Sequence, residues 1–192
     1  MSQSPKLLAF AGSTRQDSFN KKLVKVAADG AREAGADVTI IDLKDYPLPL
    51  FDQDLEAEGM PANVLLLKQL FKDHQGLIIA SPEYNSSITP LLKNTLDWVS
   101  RPAPNESTLA AFQGKVVSLI SASPGALGGL RGLVHLRAIL GNIGVIVLPE
   151  QIAVPKAHEA FDSDGSLKDA TLHSSIRQIG KKLAETVRKL VS

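Results

Sequence analysis

The sequence predicts an α/β fold, with five parallel strands in one sheet and helices layered on both of its faces. Two observations carry this expectation. Short runs of Val, Ile and Leu alternate strictly with longer segments of helical period, as a series of right-handed strand–helix–strand units requires. Those apolar runs do not alternate with polar residues, which marks strands covered on both faces. The length of 192 residues suits a single domain spanning the whole chain, at roughly 100–200 residues per domain.

The first strand is Lys6–Ala11 (KLLAFA). A helix over Ser18–Ala34 follows, with Ser18 as N-cap and Gly35 as its stop. The second strand is Asp37–Leu43, and Tyr46–Gly59 reads as irregular because of Pro47 and Pro49. The next helix, Pro61–Asp73, has Pro in its first turn and Val64, Leu67 and Leu70 on one stripe. Gly76–Ser81 is the third strand, followed by a helix over Pro90–Ser100. On that helix Leu92, Leu96 and Val99 form a stripe for the sheet, while Leu91, Thr95 and Trp98 form a second stripe. Trp98 is thereby expected to be available to a partner. Arg101–Gln113, with Pro102 and Pro104, reads as irregular. The fourth strand is Lys115–Ser121, the next helix Leu130–Gly141, and the fifth strand Gly144–Leu148. An irregular stretch over Ala153–Gly165 leads to a long final helix, Ser166–Val191, whose pattern Gly180 weakens. Strands connected in this way are expected in the sheet order 2-1-3-4-5.

Composition removes several classes of function. The chain has no cysteine, so disulfides, thiolate metal sites and thiol nucleophiles are excluded. A net charge of +1 gives no basic stripe for nucleic acid. No apolar run approaches the ~18 residues of a membrane span, and the opening MSQSPKLLAFAGS lacks the regions of a signal peptide. A cytoplasmic protein is expected. There is no G-x-S-x-G elbow, and His74, His135, His158 and His173 have no metal-binding spacing. Asp42, at the end of the second strand, reads as a strand terminator, since no glycine fingerprint precedes it.

In open α/β sheets ligands bind beyond the carboxyl ends of the strands, so three loops carry the candidate chemistry. Gly12–Asn20 (GSTRQDSFN) follows the first strand. Ser13, Thr14, Ser18 and Asn20 supply neutral donors, and Arg15 supplies a fork suited to phosphate. The helix N-terminus behind them adds N–H groups and partial positive charge. An ordinary polar turn would look similar. Ser81–Ser87 (SPEYNSS) follows the third strand, with Pro82 to rigidify it and Tyr84 to offer an aromatic face. Glu83 and Asn85 could meet the polar edge of a planar heterocycle. Ser121–Gly129 (SASPGALGG) follows the fourth strand, and its small residues would let backbone approach a ligand.

The strings AGSTRQDSFN, SPEYNSSITPLLKNTLDWVSR and SASPGALGGLRGLVHLRAIL together resemble the NADPH-dependent FMN reductase family, over about the first three quarters of the chain. That family includes flavin, quinone, chromate and azo-dye reductases. The resemblance implies a flavodoxin-like three-layer sandwich, bound FMN, NADPH or NADH as donor, a small-molecule acceptor and a homodimer or homotetramer. Carried over by position, Ser13, Arg15, Ser18 and Asn20 would hold the phosphate and ribityl end, with Phe19 beside them. Pro82, Glu83, Tyr84 and Asn85 would line the isoalloxazine, and Ser121–Gly125, including Ser121, Ala122, Ser123 and Gly125, would close its other side. Some relatives carry an aromatic where this chain has Ser86. With one face of the ring against the protein, donor and acceptor are expected to use the open face in turn. No side-chain nucleophile is required.

Two other readings compete. A flavodoxin-type electron carrier would bind FMN without oxidising NAD(P)H. Such carriers have a Thr/Ser-rich phosphate loop and a strongly acidic surface, whereas this chain has Arg15 and a sequence pI near 8.0. A non-redox phosphate- or nucleotide-binding module is the third.

Overall fold

The computed structural model describes residues 4–103 and 105–191. In chain order the elements are β1 (Lys6–Ala11), α1 (Phe19–Glu33), β2 (Asp37–Ile41), α2 (Gln53–Glu58), α3 (Ala62–Asp73), β3 (Gly76–Ala80), β4 (Glu83–Tyr84), β5 (Ser87–Ile88), α4 (Pro90–Ser100), β6 (Val116–Ala122), α5 (Leu130–Asn142), β7 (Ile146–Val154), α6 (Ala157–Ala160) and α7 (Ala170–Val191). A turn of 3-10 helix, Leu43–Asp45, follows β2.

Five strands pair in the order β2-β1-β3-β6-β7, all parallel. Leaving aside the two-residue strands β4 and β5, this is the expected 2-1-3-4-5 order, and the fold is flavodoxin-like. Central strands β3 and β6 are buried at every residue, because helices cover both faces. On one face Leu7, Ala9 and Ile78 pack against Leu23, Ala27 and Leu183 of α1 and α7. On the other, Leu8, Phe10 and Ile79 pack against Leu67, Leu92, Leu96 and Leu136 of α3, α4 and α5.

Gly180 has a specific reason to interrupt α7. A Cβ there would lie 1.8 Å from the Ala27 carbonyl oxygen of α1, and one at Gly30 would lie 2.0 Å from that of Arg177. The two helices cross backbone to backbone at this glycine pair.

Several expectations need correction. Strand β7 runs to Val154 instead of stopping at Leu148, with a register shift opposite Val117 and Leu119. It lies at the sheet edge, where Pro149 costs no ladder hydrogen bond. The Tyr46–Gly59 stretch contains α2, which buries none of its residues. The last helix begins at Ala170, not Ser166. Trp98 is not available to a partner: it is fully buried, its indole N–H donates to the Pro49 carbonyl at 2.8 Å, and Phe51 meets its ring edge-on at 5.0 Å. The Arg101–Gln113 segment is irregular as expected, although Pro104 lies outside the described residues. Glu106 clamps this segment to α3, accepting from Lys72 at 2.6 Å and pairing with Lys68 at 2.9 Å. Those two ammonium groups, against a smaller opposing effect of burial, hold its carboxyl down at about 2.

Candidate functional site at the strand ends

The carboxyl ends of β1, β3 and β6 are pinned to one another and to their neighbours by buried hydrogen bonds. Beyond β1, the Thr89 hydroxyl donates to the Gly12 carbonyl at 2.8 Å and also caps α4. Between β3 and β6, the Ser121 hydroxyl donates to the Ser81 carbonyl at 2.6 Å. Across α1 and β6, the Asn20 side chain donates to the Ala122 carbonyl at 2.8 Å and accepts from its N–H at 2.9 Å. Net contributions of about 1 kcal/mol per hydrogen bond make this a firm floor, because breaking one strands a buried polar group.

Above this floor lies a hollow of about 330 Å³. Ser13, Arg15, Ser18, Phe19 and Asn20 line it from the first loop, Pro82, Glu83 and Tyr84 from the second, and Ala122, Ser123 and Pro124 from the third. The three loops singled out in the sequence therefore converge. Helix α1 starts at this hollow with no acidic residue in its first turn and no side chain capping it. Its first N–H groups and partial positive charge thus meet no side-chain cap and no acidic residue of the helix's own first turn. The Arg15 guanidinium sits over the Phe19 ring at 5.3 Å. Phe19 in turn stacks on Phe161 at 5.8 Å.

Three predicted residues stand elsewhere. Ser121 is fully buried beneath the hollow and bonded to Ser81, so its hydroxyl is part of the floor. Asn85 sits at the turn of the β4–β5 hairpin with φ 50° and does not line the hollow. Gly125 is exposed outside the lining. Two more keep their place but spend their polar groups on protein. Both ends of the Asn20 amide are engaged by Ala122. The Glu83 carboxylate accepts from Arg131 and from the Gly132 N–H. Gly128 and Gly129 are required by packing. A Cβ at Gly129, where φ is +95°, would fall 1.9 Å from the Ser121 hydroxyl oxygen, and one at Gly128 would fall 2.6 Å from the Val154 backbone.

Sequence reasoning missed Thr89, Phe161 and Arg131. Phe161 could have been noticed as a lone aromatic in the polar stretch FDSDGS. Thr89 and Arg131 carry no local signal, because their partners are distant in the chain.

A larger hollow of about 610 Å³ lies across Ser18, beside β2. Within it Lys21 pairs with Asp42 at 2.5 Å, and Asp42 caps the following turn through the Lys44 N–H at 3.0 Å. Burial pushes the Asp42 carboxyl up, but Lys21 and the Lys44 N–H outweigh it and hold it below the usual range. Asp42 is thus a strand terminator, as expected. Among the described residues no cluster of His, Asp and Glu could hold a metal, and no helix is long and apolar enough to cross a membrane.

Comparison with known proteins identifies the family. Residues 5–159 match the family model of NADPH-dependent FMN reductase. An NAD(P)H-dependent FMN reductase of Pseudomonas aeruginosa is 33% identical over 191 residues, covering 99% of both chains. An NADPH:quinone oxidoreductase of Arabidopsis thaliana is 34% identical over 180 residues, covering 91% of this chain and 87% of its own. Among solved structures, the flavoenzyme NAD(P)H:(acceptor) oxidoreductase FerB of Paracoccus denitrificans superposes with a TM-score of 0.80 at 28% identity, over 96% of this chain and 98% of its own. The chain is an oxidoreductase and belongs to the NADPH-dependent FMN reductase family.

Proposed function

We propose that this oxidoreductase holds FMN in the strand-end hollow and passes electrons from NADPH or NADH to small acceptors, with flavins, quinones, chromate and azo compounds as the candidate classes. One observation carries the reading. The hollow joins an uncapped helix N-terminus and Arg15 at one end to a slot between Pro82–Tyr84 and Ala122–Pro124 at the other. An anion suits the first end, and a planar apolar ring suits the second. Tyr84, 58% exposed, stands at the second end with its aromatic surface free to stack.

When bound, FMN supplies the redox chemistry, accepting hydride from the nicotinamide and delivering electrons to the second substrate. The protein's part is to bind and orient. Ser13, Arg15, Ser18 and the first N–H groups of α1 hold the phosphate. Phe19, backed by Phe161, keeps the Arg15 side chain over the loop. Pro82, Tyr84, Ala122 and Ser123 flank the ring, and Asn20 holds the first and third loops in register. We place the protein in the cytoplasm as a homodimer or homotetramer.

The test is the visible spectrum of the purified protein, followed by aerobic titration with NADPH and NADH in the presence of a panel of acceptors. Flavin absorption and steady oxidation of the nucleotide are expected. A protein that stays colourless with added FMN overturns the reading, and a flavin-loaded protein that never oxidises NAD(P)H points to the electron carrier instead.

A further inference from the structure

We propose that Glu83 is a positioning residue that sets the gap between the two walls of the hollow, acting through helix α5 and not as a ligand. The inference rests on the FMN reading above.

One wall is the hairpin β4–β5, and the other is Ala122–Pro124, which leads into α5. The hairpin pairs only Glu83 with Ile88 and Tyr84 with Ser87, turning at Asn85 and Ser86 with φ of 50° and 67°. So short a hairpin does not hold its own orientation in water. It is held by docking on α5, where Ile88 joins the apolar cluster of Leu133 and Leu136 and Glu83 makes the charged contact. Its Oε1 accepts from Arg131 Nε at 3.1 Å and Nη2 at 2.8 Å, and its Oε2 accepts from the Gly132 N–H at 2.9 Å. The Gly132 N–H is in the first turn of α5, where backbone donors lack helical partners and negative charge is favoured. The fork from Arg131 fixes direction as well as distance.

The Glu83 side chain is only 8% exposed, although Arg131 is 57% exposed. Burial opposes its ionisation, but the Gly132 N–H and Arg131 outweigh burial and hold the carboxyl below its usual range. A second contact runs parallel, between Ser87 Oγ and His135 Nδ1 at 2.9 Å. The approach is close: a Cβ at Gly132 would lie 3.3 Å from the Ser87 carbonyl oxygen. Because α5 grows out of the opposite wall, the Glu83 clamp ties the two walls to one rigid element. Glu83 therefore acts on a bound ring by fixing where Pro82 and Tyr84 stand.

Glu83→Gln keeps the size but turns an amide NH₂ toward donors, and Arg131→Ala removes the fork at a largely exposed site. FMN affinity of the apoprotein is read by fluorescence quenching, orientation of the flavin by visible circular dichroism, and fold stability by the thermal midpoint of the apoprotein. Glu83→Gln is expected to weaken FMN binding about tenfold, or 1.4 kcal/mol, and Arg131→Ala about threefold. Both should alter the visible dichroism, and Arg131→Ala should add little in the Glu83→Gln background. Wild-type affinity and dichroism in both variants overturn the proposal, also where the thermal midpoint falls, since the clamp then serves the fold alone. A wild-type protein that takes up no FMN overturns the underlying reading as well.

Discussion

Replacing Gly180 by alanine tests whether the α1–α7 crossing governs the stability of the layer that carries the first loop. The new Cβ would lie 1.8 Å from the Ala27 carbonyl oxygen, and contacts under 3.0 Å essentially do not occur, so the helices must part by about 1.2 Å. Overpacking of this kind costs about 1–3 kcal/mol and occasionally more. Against it stands the helix preference of alanine over glycine, about 1 kcal/mol. With the clash against backbone, which cannot rotate away, we expect a net loss of about 2 kcal/mol. For a chain this long that lowers the melting temperature by about 4–8 °C. Thermal melts of Gly180→Ala, Gly30→Ala and the double variant measure it. The double variant should lose less than the sum, because the first Cβ already separates the helices. Gly141→Ala, with nothing within 4 Å of its Cβ, is the control and should melt at or slightly above the wild type. If Gly180→Ala melts with Gly141→Ala, the close crossing does not exist and the reasoning fails.

Four further outcomes follow from the structure. Arg15→Ala should weaken FMN binding about ten- to a hundredfold, from the roughly 1.5–3 kcal/mol of a hydrogen bond to a charged group; unchanged affinity by fluorescence titration would remove Arg15 from the phosphate site. Mixing the oxidised protein with NADPH in a stopped-flow instrument, without acceptor, should bleach the flavin band at a competent rate; bleaching only after acceptor is added would mean a ternary complex. Since Glu106 titrates at about 2 in the fold instead of 4.5, its contribution is present above about pH 4.5 and lost as pH falls toward 2. The urea midpoints of wild type and Glu106→Gln should accordingly converge over that range, and a gap that persists to pH 2 would count against the clamp. Light scattering at micromolar concentration should give at least a dimer, with Leu50, 80% exposed on the loop that covers Trp98, as a candidate contact; a monomeric mass would refute it.

The five strands were legible because strands buried on both faces leave uninterrupted apolar runs, a signal independent of their partners. Only β7 escaped this rule in part. At an edge it tolerates Pro149, Glu150 and Gln151, whose polarity hid its second half. The six-residue α2 buries nothing, so it imprints no periodicity. Trp98 misled for a different reason: helical spacing shows which residues share a stripe, but not that Pro49 and Phe51 fold over that stripe.

By itself the sequence determined the strand order, the three loops and most of the residues that meet at the strand ends, because βαβ connectivity puts those loops on one edge of the sheet. Tertiary structure alone decided which of those side chains line the hollow and which are spent on the protein. Ser121 bonds a residue 40 positions away, Glu83 one 49 away and Asn20 one 102 away. A side chain's hydrogen-bonding capacity is set by its type, which sequence shows. Where that capacity is used depends on which distant backbone groups the fold brings within 3 Å.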